Sequence, residues 1–498
     1  MVFHSLQFLI FFPITILVYY ILPPKCRHLW LLAASYYYYM CWNIRYALLM
    51  LLSTFITYLS GIWMERVKNR NWEPKKKTNR KRWIVFLSFF LNLAILFFFK
   101  YYNFTADLIS SLSSYFHTGL SLPRLDLLLP VGISFYTFQA LSYTVDVYRD
   151  DIYAESDFFR YALFVSFFPQ LVAGPIERSK DLLVQLARPK RFQYDEAREG
   201  LLLMIWGFFM KLVIADRIAV FVDSVYADPS TYNGWYLIIA TVLFNYQIYC
   251  DFAGYSTIAL GAAKIMGFKL TENFIAPYLS RSVGEFWRRW HVSLGTWFRD
   301  YLYFPLGGSR KGKLRKYVNL MIVFLLCGLW HGASLTYVVW GALNGLYQVM
   351  GDVLRPVRDK IVNRLQLHRE TAGHQALQVL ITMTLISSFV PFFRAASLAE
   401  AGSIYQSMFS ANNIWILFDG SLYGLGLDQP NFRLMLLSIA VLIFADLCRY
   451  RNISIPQILM KQDAWVRGLV FGLSAGAVLL FGMWGPMIDS SAFIYYQF

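Results

Sequence analysis

The sequence predicts an all-α, polytopic integral membrane protein. Hydrophobic residues make up 57% of its 498 residues and charged residues only 15%, unlike the composition of a soluble globular chain. Apolar runs long enough to cross a bilayer recur along the chain, and short basic clusters separate them. The net charge of +16 comes from these clusters rather than from one basic face interleaved with aromatic residues. We therefore expect the chain to contact membrane lipid and not to bind nucleic acid.

About 11–13 transmembrane helices are predicted, with additional re-entrant or interfacial helices. The first run has no basic leader and no small-residue cleavage site, so we expect it to be retained. The charges of the loops place both termini outside, which requires an even number of crossings, and twelve is the number that fits. One of the pieces 130–147 and 158–176 must then dip into the bilayer and return. We expect a single transmembrane domain over residues 1–498. The apolar runs lie near 3–22, 29–42, 46–63, 83–101, 200–222, 235–250, 317–334, 336–351, 376–394, 433–447 and 466–485.

The basic loops predict the orientation of the chain. The loop near 64–82 carries nine Lys or Arg against two Glu, and 309–316 carries five against none. Because cationic loops stay on the cytoplasmic side, we assign these loops, together with 178–198 and 355–374, to the cytoplasm. The segment 395–432 has three acidic residues and no Lys or Arg, which places it outside. Both termini, including the tail 486–498, then lie outside.

His331 is the first candidate catalytic residue. It lies in an apolar run, Val318 to Leu346, that contains no Lys, Arg, Asp or Glu. Burying a polar ring costs a few kcal/mol unless protein or a wet cavity satisfies it, so His331 is either a hydrogen-bonded core residue or a functional one. Gly328 and Gly332 favour the functional interpretation, since they permit close approach. An imidazole titrates near neutrality and suits general acid–base catalysis.

A second cluster precedes His331 in the segment 282–306, which is rich in Trp, Arg and Phe and is expected to be a re-entrant or interfacial helix. Helical spacing there places Trp287 and His291 on one face. His291 is either functional or an interfacial aromatic-belt residue tied to a carbonyl. Arg288 and Arg289 are more typical of lipid headgroup anchors than of catalytic groups.

Asp251 is a carboxylate inside another apolar run. It either orients a histidine or binds a cation, or it caps a helix. The five cysteines are scattered and have no zinc-ligand spacing with the histidines, so no metal site is predicted.

Ordered motifs along almost the whole chain resemble the membrane-bound O-acyltransferase family, and within it the bacterial alginate O-acetyltransferase branch. The matching blocks are MVFHS at the start, KYYNF from Lys100, LPVGISFYTFQ ending at Gln139, PQLVAGPIER, YQIYCDFAGYS, EFWRRWHVSL, WFRDYLYFPLGG and GLWHGAS.

The resemblance implies a ring of tilted helices around a central cavity open to both sides of the bacterial inner membrane. It implies that His331 is the catalytic histidine and that His291 is a second, more variable polar position (His, Asn or Asp). A donor at His291, Trp287 or a loop amide would then stabilise the oxyanion. Further expected cavity or substrate-binding residues are Trp287, Arg288, Arg289, Trp290, Asp251, Gln139, Trp330 and Ser334.

The implied reaction moves an acyl group, expected to be acetyl, from a cytoplasmic thioester donor such as acetyl-CoA or an acyl carrier. No tightly bound cofactor is expected. The acceptor would be an exported cell-surface polysaccharide, reached through an extracytoplasmic acetyltransferase partner. The chain ends in FIYYQF, which is similar to the F-x-Y-x-x-F end of a small partner protein in teichoic-acid D-alanylation. Tyr495 is thus either an acyl relay or an interfacial anchor.

Three alternatives remain open on the sequence. One is transfer of D-alanyl or a longer acyl chain to teichoic acid or another envelope polymer. The second is a polysaccharide or lipid transporter, although we find no inverted repeat and no midplane charge pair. The third is a scaffold that recruits an external acetyltransferase, in which case His331 would be dispensable.

Overall fold

A computed structural model describes residues 1–172 and 174–484 of the chain, and the regular elements in these ranges are helices. They form two compact units. The first comprises Met1–Leu201 with Ala259–Thr271, and the second comprises Leu202–Ile258 with the described residues from Glu272 onward.

Six helices in the described ranges are long and apolar enough to cross a membrane, and Leu6–Ile21 is a shorter apolar helix. The prediction of an all-α, polytopic membrane protein is therefore confirmed, and each predicted apolar run overlaps a helix within the described residues. The number of crossings, the ring arrangement and the single-domain assignment remain predictions. The six are Ile44–Asn69, Pro74–Tyr115, Trp235–Ile265, Ala372–Arg394, Gln429–Tyr450 and Ala464–Phe481.

The first unit is organised around the helix Ile133–Tyr148, which is buried on nearly all sides. It packs against Ile44–Asn69 and Pro74–Leu96. The Thr144 hydroxyl lies 3.1 Å from that of Ser60 and 3.2 Å from that of Ser88, so hydroxyl hydrogen bonds join the three helices. The other α-helices of this unit are Leu6–Ile21, Arg27–Met40, Tyr102–Tyr115, Phe158–Ser166, Phe168–Leu171 and Val184–Leu186.

The second unit contains most of the candidate site. Two of its long helices begin at side-chain caps. The Ser334 hydroxyl accepts a hydrogen bond from the Thr336 amide at the start of Leu335–Val353, and the Asp428 carboxylate accepts one from the Asn431 amide at the start of Gln429–Tyr450. The α-helices that lie wholly in this unit are Asp216–Ala227, Val283–Arg289, Val292–Phe298, Gly312–His331, Leu335–Val353, Arg355–Arg364, Ala372–Ser387, Pro391–Arg394, Leu398–Met408, Gln429–Tyr450, Ile455–Met460 and Ala464–Phe481, while Tyr194–Phe208 and Trp235–Ile265 have residues in both units.

The predicted helix over 282–306 is broken. Val283–Arg289 ends at Trp290, and a second short helix runs from Val292 to Phe298 before a π-helical turn over Arg299–Tyr303. His291 separates the two helices with a left-handed backbone, φ 44° and ψ 53°. A continuous helical face through this segment is therefore wrong, because a left-handed residue redirects the chain.

Candidate functional site

His331 is the last residue of the helix Gly312–His331, which forms a tight hairpin with Leu335–Val353. We call these two helices the histidine hairpin. Their backbones touch at small residues: a Cβ atom on Gly328 would collide with the carbonyl oxygen of Tyr337, and one on Gly341 would collide with that of Phe324. Glycine is required at this crossing because any side chain would push the helices apart. The crossing lies one helical turn before His331 and holds its position.

Aromatic rings surround the His331 imidazole, which is only 4% exposed. Its centroid lies 5.1 Å from that of Trp330, 5.3 Å from that of Trp340 and 5.5 Å from that of Phe393. All three contacts are edge-to-face, the arrangement that aromatic quadrupoles favour. These rings fix the imidazole and keep bulk water from most of its surface.

His291 lies close to His331 and is 1% exposed. The two ring centroids are 6.5 Å apart, and Trp330 contacts both rings, 5.7 Å from His291. The other side of His291 rests on Phe252 at 4.8 Å. The sequence placed Trp287 and His291 on one helical face, and the structure corrects this, because the helix carrying Trp287 ends before His291.

A small cavity of about 40 Å³ lies beside His331 in the second unit. That is about the share of space of one or two water molecules. The indole nitrogen of Trp287 is buried at this cavity and has no hydrogen-bond acceptor among residues 1–172 and 174–484. An N–H donor and an imidazole thus line one small apolar space. Its lining is Asn245, Ile248, Tyr278, Phe286, Trp287, Trp290, His331, Trp340, Asn344, Ile386, Val390 and Phe393.

Trp290 lines this cavity, whereas its basic neighbours do not. Arg289 forms an ion pair with Glu285 at 2.9 Å, donates to the Ile275 carbonyl at 3.1 Å and lies over the Tyr450 ring. These contacts give Arg289 a structural role, because they hold the segment 282–306 in place. Arg288 is exposed.

Asp251 lies in the interior of the helix Trp235–Ile265, so the helix-cap interpretation is wrong. Its carboxylate is 3% exposed and pairs with the Lys211 ammonium at 2.5 Å. Lys211 also pairs with Asp216 at 2.9 Å. One buried cation thus serves two carboxylates, and this pair corrects the expectation that the apolar runs hold no charge pair. The residue after Asp251, Phe252, contacts His291.

The remaining predicted residues lie in other surroundings. Gln139 belongs to the first unit and donates to the carbonyl of Phe164 at 2.6 Å. Ser334 caps the second helix of the histidine hairpin, and Trp330 supports both imidazoles without lining the cavity. Tyr495 lies outside the described residues.

Sequence reasoning missed several residues of the site. Trp340, Asn344 and Phe393 line the cavity, and their positions depend on helix packing that no local motif encodes. Lys211 was recognisable, because a lysine inside an apolar run is costly and demands a partner. In the described part of the chain, no group of three or more His, Cys, Asp or Glu side chains has a metal-binding arrangement.

Known proteins resemble this chain over much of its length. Residues 83–393 match the model of the MBOAT, membrane-bound O-acyltransferase family. A probable alginate O-acetylase of Pseudomonas putida is 39% identical over 414 residues, which cover 82% of this chain and 80% of that protein. The peptidoglycan O-acetyltransferase of Helicobacter pylori is 32% identical over 441 residues, covering 81% and 79%. The teichoic acid D-alanyltransferase of Bacillus subtilis is 31% identical over 228 residues, covering 43% and 57%.

Proposed function

The chain belongs to the membrane-bound O-acyltransferase family, and from that premise we propose that this acyltransferase acetylates an exported cell-surface polysaccharide. An alginate O-acetylase and a peptidoglycan O-acetyltransferase each match more than four fifths of this chain, and both names specify acetyl transfer to a glycan polymer. The single structural observation that carries the proposal is the buried His331 imidazole, which shares a small cavity with the Trp287 indole N–H.

The proposed chemistry uses His331 as a general base and then as a general acid. The imidazole removes the proton from the acceptor hydroxyl as its oxygen attacks the thioester carbonyl. A C–O bond forms and the C–S bond breaks, and the same proton passes from the imidazole to the departing sulfur. The Trp287 N–H donates to the carbonyl oxygen while negative charge develops there. A donor held in a dry site is most effective for this purpose, because little water competes with it.

The other residues of the site support this pair in the proposal. His291 and Trp330 position the His331 ring by direct contact. Trp290 shapes the cavity wall, and Asp251 anchors the helix that carries Phe252 through its buried pair with Lys211. No chemical step is assigned to Arg288, Gln139 or Ser334. Arg289 has only a structural role.

The small cavity favours a short acyl group. The cavity beside His331 is small, at about 40 Å³, and mostly apolar side chains line it, so a long acyl chain would need these side chains to move. D-alanyl transfer is the second candidate, and the matching teichoic acid D-alanyltransferases cover 43% and 53% of this chain, less than the acetyltransferases do. We therefore favour acetyl, with acetyl-CoA or an acyl carrier as the thioester donor.

The proposed setting is the bacterial inner membrane, with the chain forming one transmembrane domain and both termini outside. The loops 64–82, 178–198, 309–316 and 355–374 face the cytoplasm, where thioester donors are made, and 395–432 faces outward. An extracytoplasmic acetyltransferase partner receives the acyl group before it reaches the polymer. Tyr495 in the tail is proposed either as an interfacial anchor or as an acyl relay.

Mass spectrometry of cell-surface polymers tests this proposal. In cells that express the chain, the mass of each modified sugar should increase by about 42 Da, because an acetyl group replaces a hydroxyl hydrogen when the ester forms. The ester should be absent from cells without the chain and from cells with His331→Ala at equal membrane abundance. A mass increase of a different size identifies another acyl group. A polymer that is still esterified to the same extent in the His331→Ala cells supports the scaffold or transporter alternatives.

A further inference from the structure

The first unit contains a larger cavity that the proposed chemistry does not use. It has a volume of about 350 Å³, within the range of small-molecule sites. Apolar and aromatic side chains form its floor, and each of them is no more than 3% exposed: Tyr19, Leu31, Leu163 and Phe268. Its walls carry basic side chains from three separate stretches of the chain. We call it the cationic pocket, and its basic residues are Lys25, Arg27, His28, Arg160 and Arg188.

Part of this charge is already used inside the protein. Arg160 pairs with Glu155 at 3.1 Å and with Asp157 at 3.4 Å, and Asp157 also lies 3.5 Å from His28. Four permanently charged bases against these two carboxylates leave a net charge of +2, with His28 counted as neutral. The pocket is therefore electropositive after its internal ion pairs are counted.

Arg27 builds the wall of the pocket. Its guanidinium donates to the carbonyls of Leu22 at 2.9 Å, Tyr20 at 3.1 Å and Lys190 at 2.5 Å. These three bonds tie the loop between the first two helices to the loop that carries Arg188. The positions of the cations are thus set by backbone contacts.

Lys25 and Arg188 are the two cations available to a ligand. Both are exposed at the pocket, and neither has an acidic side chain within ion-pair distance in the part of the chain that the structure describes. An ammonium and a guanidinium at one mouth are donors suited to phosphate oxygens.

We propose that the cationic pocket binds a phosphate ester attached to an apolar or slender chain, with the phosphate at Lys25 and Arg188 and the chain along the floor of Tyr19, Leu31, Leu163 and Phe268. This chemistry has two sources: the headgroup of an anionic phospholipid, and a coenzyme A type carrier. The inference does not depend on the chemistry proposed at His331, because every residue it uses lies in the first unit.

The experiment uses the purified full-length protein in neutral detergent. Phosphatidylglycerol, phosphatidylcholine with the same acyl chains, and coenzyme A are titrated separately, and bound ligand is measured by native mass spectrometry. The pocket variant is Lys25→Ala with Arg188→Ala. The control variant, Lys75→Ala with Arg310→Ala, removes the same charge from exposed residues of two other basic loops. Arg188→Gln alone serves as a milder variant if the double variant is not monodisperse.

We expect the pocket variant to weaken binding of one phosphate ligand by roughly 25-fold, since each of the two basic residues near an anionic headgroup contributes about a fivefold factor. The control variant should bind like the unmodified protein. A pocket-dependent preference for phosphatidylglycerol over phosphatidylcholine identifies the lipid source, and pocket-dependent coenzyme A binding identifies the carrier source. Equal binding of all ligands by the pocket and control variants overturns the proposal and leaves these cations as topology determinants only.

Discussion

The imidazole rings of His331 and His291 lie 6.5 Å apart, centroid to centroid, with their planes inclined by 63°. The two residues are forty positions apart in sequence, and each ends or begins a helix at a break in regular backbone. Trp330 packs against both rings. The pair is thus held by aromatic packing, and the predictions below test what each part of this arrangement contributes.

Trp287→Phe removes the indole N–H and keeps an aromatic ring in the cavity wall. If this N–H stabilises the oxyanion, the turnover rate should fall by about 100- to 1000-fold with little change in KM. Trp290→Phe is the matched control, because it removes similar ring area from the wall of the same cavity. The measurement is acyl transfer in membranes with equal protein content, and equal effects of the two variants would refute a specific role for Trp287.

His291 has a left-handed backbone, which asparagine tolerates and a β-branched residue does not. His291→Asn should unfold at a higher temperature than His291→Val, because both variants lose the buried ring contacts but only valine also strains the left-handed backbone. His291→Val should be destabilised by about 2 kcal/mol or more. This conformation also gives a physical reason for the His, Asn or Asp that the family resemblance implies at this position. Thermal unfolding in detergent checks the prediction, and two variants of equal stability would contradict it.

Lys211→Met leaves the buried carboxylates of Asp251 and Asp216 without their shared cation. The expected destabilisation is about 3–5 kcal/mol, because burying an uncompensated charge is costly. Adding Asp251→Asn to Lys211→Met should recover part of this loss.

The control for this prediction is Lys316→Met, which breaks the partly exposed pair with Asp352. It should cost no more than about 1 kcal/mol. Thermal unfolding in detergent compares the stability of the three variants with that of the unmodified protein. A similar, small loss for Lys211→Met and Lys316→Met would show that the buried pair contributes little.

Gly328→Ala places a methyl group against the carbonyl of Tyr337 in the histidine hairpin. Overpacking of this kind costs about 1–3 kcal/mol, and we expect acyl transfer to fall as His331 is displaced. Gly351→Ala lies on the second helix of the same hairpin with no heavy atom within 4 Å of the added Cβ, so it should be neutral or slightly stabilising. Unfolding temperature and transfer rate are measured for both, and matching behaviour would exclude the close helix crossing.

The helices and the first catalytic candidate were predictable from the sequence, because apolar length and an isolated imidazole are local properties. The cavity was not, since Trp340 and Phe393 reach His331 through packing of separate helices. The shared face of Trp287 and His291 was predicted wrongly, because helical periodicity gives no warning of a left-handed residue. Lys211 was overlooked as the partner of Asp251, although an intramembrane lysine requires one.

The most direct test of the central claim is the rate of acyl transfer by His331→Ala, compared with the unmodified protein in membranes that contain equal amounts of each. A labelled acetyl thioester serves as the donor, and label on the acceptor hydroxyl is counted. Loss of the proton-transfer group should lower the rate by about 100- to 10,000-fold, while the unfolding temperature stays close to that of the unmodified protein. A folded His331→Ala protein that transfers acetyl at a rate similar to the unmodified protein would contradict the account.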